Sequence, residues 1–167
     1  KRDEFFNSFL EFNNDNVVAS DIKTSDLNNR EIPVFISGNI DLSNSVQTIM
    51  GEKYINIDFF PKTLDRYLPD EKRKTGYDFD YVLSFEDEFS LTIPAGSKFA
   101  DVPEKVELIF DDYEFKGEYV VQGNKIILKK FLVLKNSVIH KKDFANWTKF
   151  LTSIKQFSSY FFSVTTK

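Results

Sequence analysis

The sequence predicts a mostly β fold. It is an antiparallel β-sandwich of about nine strands, with one C-terminal amphipathic helix packed on it and a short helix at the N-terminus. Two observations carry this. Apolar and polar side chains alternate with a period of two through most of residues 16–134, and turn residues interrupt the runs at short intervals. The period then changes to 3.6 over residues 141–157.

Residues 1–12 place Phe5, Phe6, Phe9 and Leu10 on one helical stripe, which Asn13 to Asn16 break. A helix or a linker from a preceding domain is expected over 1–15. Val18, Ser20 and Ile22 form a weak strand, and residues 34–42 a clear one, with Val34, Ile36, Gly38, Ile40 and Leu42 on one face. Val46 to Met50 and Tyr54 to Phe60 flank Gly51-Glu52 as a hairpin. Pro61 stops the second of these, because proline has no N–H for the ladder. Residues 61–76 are polar, contain Pro61 and Pro69, and read as the longest loop, with room for one helical turn.

Tyr77 to Leu83 alternates again, with Asp78 and Asp80 on one face. Phe89 to Ile93 ends at Pro94, and Val106 to Phe110 follows. Tyr113 to Val121 and Lys125 to Leu134 join across Gln122-Gly123-Asn124, the strongest hairpin signal in the chain. Ile126, Leu128, Leu132 and Leu134 share a face with Lys130, which is expected to snorkel where the strand leaves the core. Phe144, Trp147, Phe150, Leu151, Ile154 and Phe157 fall on one stripe of a helix that Ser158-Ser159 end. Phe162, Val164 and Thr166 suit a last strand. Residues 16–167 thus read as one sandwich domain, with 16–76 and 77–167 as two small subdomains the alternative.

A chain of 167 residues can bury roughly 70% of its unfolded surface without a disulfide or a structural metal. The net charge of −4 gives no basic excess for nucleic acid or an anionic membrane. There are 19 Phe against 7 Tyr and 1 Trp. Phe has no polar handle, so this richness reads as core filling and not as a stacking platform. No apolar run approaches the roughly 18 residues of a membrane span, and no signal peptide is visible. The chain begins at Lys1 and its only methionine is Met50, so it reads as a piece of something longer. With no cysteine, disulfide and thiol chemistry are excluded within it.

Side chains suited to catalysis are few. His140 is the only imidazole. A nucleophile would have to be held against it, and Ser137 and Asp143 are close in sequence only. No G-x-S-x-G elbow exists. His140 therefore reads as a residue that opens a helix before Lys141. Zinc wants Cys or several His, and neither is present. Calcium wants clustered oxygens. Asp78 with Asp80, and Asp111-Asp112 with Glu114, are the groupings to consider. Neither matches an EF-hand loop, and a solvated strand face and a polar turn account for them.

Lys72-Arg73-Lys74 and Lys129-Lys130 read as loop solvation and edge-strand protection. Six glycines form no phosphate loop. Trp147 lies on the helix stripe and reads as core. The expected set of catalytic, cofactor-binding and metal-binding residues is empty, and no cofactor is expected.

From Asp78 onward the order of elements resembles a known arrangement. A strand ends "IP-x-G" (Ile93, Pro94, Gly96), and "x-P-E" follows (Pro103, Glu104). Next come a "Y-x-V-x-G-N-x-I" hairpin (Tyr119, Val121, Gly123, Asn124, Ile126) and a long lysine-bearing strand. An "F-x-x-W-x-x-F-L" helix (Phe144, Trp147, Phe150, Leu151) and a final strand close the match. "K-Y-I-N" (Lys53 to Asn56) and "E-K-R-K" (Glu71 to Lys74) look similar to the strands before it. The pattern, over residues 16–167, resembles the uncharacterised C-terminal β-sandwich of bacterial transglutaminase-like envelope proteins. The resemblance implies a periplasmic or secreted parent of Gram-negative type. It carries over no catalytic residue, because the family's Cys, His and Asp belong to its core domain.

The function expected is that of a non-catalytic accessory domain, with the preceding domains of a parent chain as partners. The alternative is an independent glycan- or peptide-binding module, which would show an exposed row of Tyr77, Tyr81, Tyr113 or Tyr119. A hydrolase would need carboxylates converging in a pocket with raised pKa values.

Overall fold

The computed structural model describes residues 4, 18–42, 46–59, 64–70 and 72–166. It is mostly β, with antiparallel sheets and one C-terminal helix. The helix expected over 1–12 lies outside the described residues, Glu4 excepted. The chain divides into two compact units, Lys1–Gln47 and Thr48–Lys167.

The described part of the first unit is a hairpin. Strand β1 (Val18–Thr24) pairs antiparallel with β2 (Ile36–Asp41). The register shifts between Ser20 and Lys23, where Asp21 takes a φ of 55°. That is a bulge, and the Asn39 side-chain amide donates to the Asp21 carboxylate across it at 2.8 Å. Gly38 is required opposite, since a Cβ there would lie 2.9 Å from the Ser20 carbonyl oxygen.

Two four-stranded sheets follow. One runs β3-β4-β12-β7, from β3 (Gln47–Ile49), β4 (Glu52–Ile55), β12 (Phe162–Thr166) and β7 (Ser97–Ala100). The other runs β6-β10-β9-β8, from β6 (Leu83–Thr92), β10 (Lys125–Leu134), β9 (Tyr113–Gln122) and β8 (Val106–Ile109). Met50 and Gly51 both take positive φ, the conformation that closes a tight β3–β4 hairpin. Gly123 does the same between β9 and β10.

The C-terminal helix (Phe144–Ser158) buries Trp147, Phe150, Leu151 and Phe157 of the expected stripe and leaves Phe144 and Ile154 half-buried. Trp147 and Phe150 are fully buried, and the Trp147 indole N–H donates to the Tyr67 carbonyl at 2.9 Å. The helix lies against β9. Trp147 meets Tyr113 edge-on at 5.0 Å, and Phe157 meets Phe115 at 5.8 Å. Gly117 makes the close approach possible, because a Cβ there would sit 2.5 Å from Phe157 Cε1. The sequence marks Gly117 only as a gap in a strand; the packing supplies its reason.

Several strands differ from expectation. The run 77–83 is not one strand. Only β5 (Tyr77–Asp78) is regular, paired with β11 (Val138–Ile139). Asp80 has a φ of 61°, and its N–H donates to the Asp78 carboxylate at 3.0 Å. Such a side-chain bond competes with the ladder and turns the chain. The strand expected over 54–60 ends at Ile55 for the same reason. Asn56 Oδ1 accepts the Asp58 N–H at 2.6 Å, while its amide donates to the Ser158 carbonyl at 2.8 Å. Strand β6 begins six residues before the expected Phe89. A 3-10 turn at Asp65–Tyr67 is the helical turn for which the long loop had room.

Candidate functional site

On β6 the half-buried row is Leu83, Phe85, Asp87, Phe89 and Leu91. On β10 the buried row is Ile126, Leu128, Lys130, Leu132 and Leu134. Each is a period-two apolar row with one charge at its centre. The antiparallel register sets Lys130 opposite Asp87 on one side and Gly117 on the other. Asp58 arrives from the segment after β4, held by the Asn56 turn.

The result is a buried charge cluster between the two sheets. Lys130 Nζ donates to Asp58 Oδ1 at 2.7 Å and lies 3.3 Å from Asp87 Oδ2. The side chains are 3%, 0% and 17% exposed for Lys130, Asp58 and Asp87. Burial pushes the Asp87 carboxyl above its ordinary pKa; the nearby Lys130 ammonium opposes this, and Asp58 adds to it. Burial also raises Tyr119, and the Asp58 charge reinforces it. The Tyr119 hydroxyl is buried with no hydrogen-bond partner.

Lys130 therefore does not snorkel. It lies mid-strand, 4% exposed, and its charge is met inside the protein. Lys129-Lys130 does not protect an edge either, because β10 is central in its sheet. Lys129 is exposed opposite Glu118 and Glu88, whereas Lys130 points inward.

The other candidates are spread through the fold. His140 is exposed and caps the 3-10 turn Lys141–Asp143 that leads into the helix. Asp78 turns its own backbone, as above. Asp111 and Asp112 sit at the β8–β9 turn, and the Asp112 carbonyl accepts the Lys135 N–H at 2.8 Å. Glu114 is taken by Lys116 at 2.7 Å, whose hydrogen bond holds its carboxyl below the usual range. Among the described residues no three His, Cys, Asp or Glu side chains are placed to hold a metal ion.

Arg73 stacks over Tyr77 at 3.8 Å and donates to the Thr75 and Gly76 carbonyls. Tyr77 and Tyr113 are buried, the latter's hydroxyl pushed up to about 12 chiefly by burial. Tyr119 is partly buried, so of the four tyrosines only Tyr81 is exposed. The row a glycan platform would need is not formed.

Asp58 and Asp87 were not among the sequence candidates. Asp87 had a readable signal: an acid at the centre of an apolar alternation, matching the lysine at the centre of another. Asp58 had none, because Ile57, Asp58 and Phe59 are all buried and no period marks which of them faces the lysine.

Residues 51–159 match the family model DUF3858, a domain of unknown function with a solved structure. No curated protein and no solved structure matches the chain. The comparisons do not link it to transglutaminase-like proteins.

Proposed function

The chain belongs to the DUF3858 family, and from that premise we propose that it is a non-catalytic accessory domain of a larger transglutaminase-like envelope protein, periplasmic or secreted. It positions or caps the core domain, or holds a partner for it. The observation that carries this reading is the fate of the interior charges. Lys130, Asp58 and Asp87 close on one another in the interior, so the buried carboxylates that converge among the described residues face a lysine and not a cleft. A hydrolase would need them open to substrate. The net charge of −4 likewise favours protein partners over nucleic acid.

The test has two arms. The purified chain is assayed for transamidation and for peptide hydrolysis, with no turnover expected. Turnover abolished by Asp58→Asn would overturn the non-catalytic reading. The full-length gene product is expected to carry a Cys–His–Asp core, and a product without one would overturn the transglutaminase link. An independent glycan-binding module is less supported, since Tyr81 alone of the four tyrosines is exposed.

A further inference from the structure

We propose that Lys130 and Asp58 condense into an intramolecular isopeptide bond that ties the two four-stranded sheets together, with Asp87 carrying the protons. Asp58 follows β4 in one sheet, and Lys130 is central in the other. Nζ already contacts Oδ1 at 2.7 Å. Amide formation needs the nitrogen at about 3–3.5 Å from the carboxyl carbon, in a fixed orientation. A hydrogen bond to the adjoining oxygen leaves only a small slide to reach it.

The surroundings favour the same outcome. Both charges have lost their water, and the attraction of a buried pair does not always repay that cost. Passing a proton from nitrogen to a carboxylate removes both charges and leaves an amine facing a carboxyl group. Phe59, beside Asp58, meets Phe89, two residues on from Asp87, edge-on at 5.1 Å. An aromatic contact and the charge cluster thus bridge the same two sheets.

The step balances without any co-reactant. The Lys130 ammonium passes a proton by way of Asp87, 3.3 Å away, to the Asp58 carboxylate, which leaves a neutral amine facing a neutral carboxyl group. The amine lone pair attacks Cγ of Asp58. The C–N bond forms, and one C–O bond of the carboxyl breaks. Asp87 relays the two protons that nitrogen loses to the departing oxygen, which leaves as water, and is itself unchanged. Burial holds the Asp87 carboxyl above the ordinary range, which suits a group that must both take and return a proton. The reaction happens once per molecule and turns nothing over, so it stands apart from the accessory-domain reading.

Mass spectrometry of the purified chain decides it. The folded wild-type protein should weigh one water less than its sequence. Trypsin should then release a branched peptide joining residues 54–62 to residues 130–135, because modified Lys130 is no longer a cleavage site. Lys130→Ala and Asp58→Ala should each show the full sequence mass. Asp87→Asn, with both reacting groups intact, should form the bond at least tenfold more slowly, and Asp87→Glu should restore part of the rate. A folded wild-type chain of full mass overturns the proposal. So does a missing water that maps to any other peptide. Bond formation in Asp87→Asn at the wild-type rate overturns the role given to Asp87.

Discussion

The inner face of the β9–β10 hairpin carries Lys130 against Asp58 and Asp87. The outer face carries Lys116 against Glu114 and Glu107, with Lys135 nearby. The first contacts are 2.7 and 3.3 Å; the second are 2.7 Å for Glu114 and 3.7 Å for Glu107. Distance does not separate the two clusters. Burial does: the Lys130 side chain is 3% exposed and that of Lys116 is 48% exposed. The outer pair keeps its water and is screened by salt, so breaking it returns each charge to solvent. Breaking the inner pair strands a charge where water cannot reach it. The same two residue types, one cross-strand pair apart along the hairpin, are a surface ornament on one face and a structural commitment on the other.

Asp58→Ala should give the largest effect, a loss of about 3–5 kcal/mol from stranding the buried ammonium. Trp147→Ala sets the scale, with about 3–5 kcal/mol expected from an emptied aromatic site in the same interior. Denaturant unfolding measures both, and an Asp58→Ala loss no larger than that of a surface change would erase the contrast between the faces. Gly117→Ala should cost about 1–3 kcal/mol, because its Cβ would collide with Phe157. An unchanged melting temperature would mean the helix can retreat without loss.

Asp87 sharpens the comparison through pH. Its folded-state value lies above the ordinary 3.8. The folded state therefore holds that proton to higher pH than the unfolded chain does. Its contribution to stability is complete below 3.8 and is lost as pH rises through the folded-state value. Asp87→Asn should flatten the stability curve over that stretch, and a curve parallel to wild type would contradict it. Glu114 has the opposite sign. Its carboxyl is held down by Lys116, so its small contribution is present at neutral pH and is lost on acidification. Lys116→Ala should give the smallest effect, a midpoint at neutral pH within experimental scatter.

Much of the fold was legible. The β9–β10 hairpin was marked by Gly123-Asn124 between two long alternations, and the helix by a six-residue apolar stripe. Both signals are local, and local spacing is what a sequence displays directly. The breaks at Asn56 and Asp78 were not legible, because a carboxylate or amide that turns its own backbone looks like any polar residue on a strand face. The short β5–β11 pairing was hidden too. Two residues carry no period, and their partners lie sixty residues away. The charge cluster was half visible. Lys130 was seen inside an apolar row, but with no partner in sight its long stem pointed to solvent.

The sequence by itself determined which residues alternate, where the turns fall, and which stripe of the last helix must be buried, since hydrophobic periodicity follows directly from backbone geometry. Only the tertiary structure decided that Lys130 stays inside. A buried charge is tolerable only when another charge reaches it, and Asp58 reaches it from a segment seventy-two residues away. Alternation says which way a side chain points; it cannot say what will be waiting there.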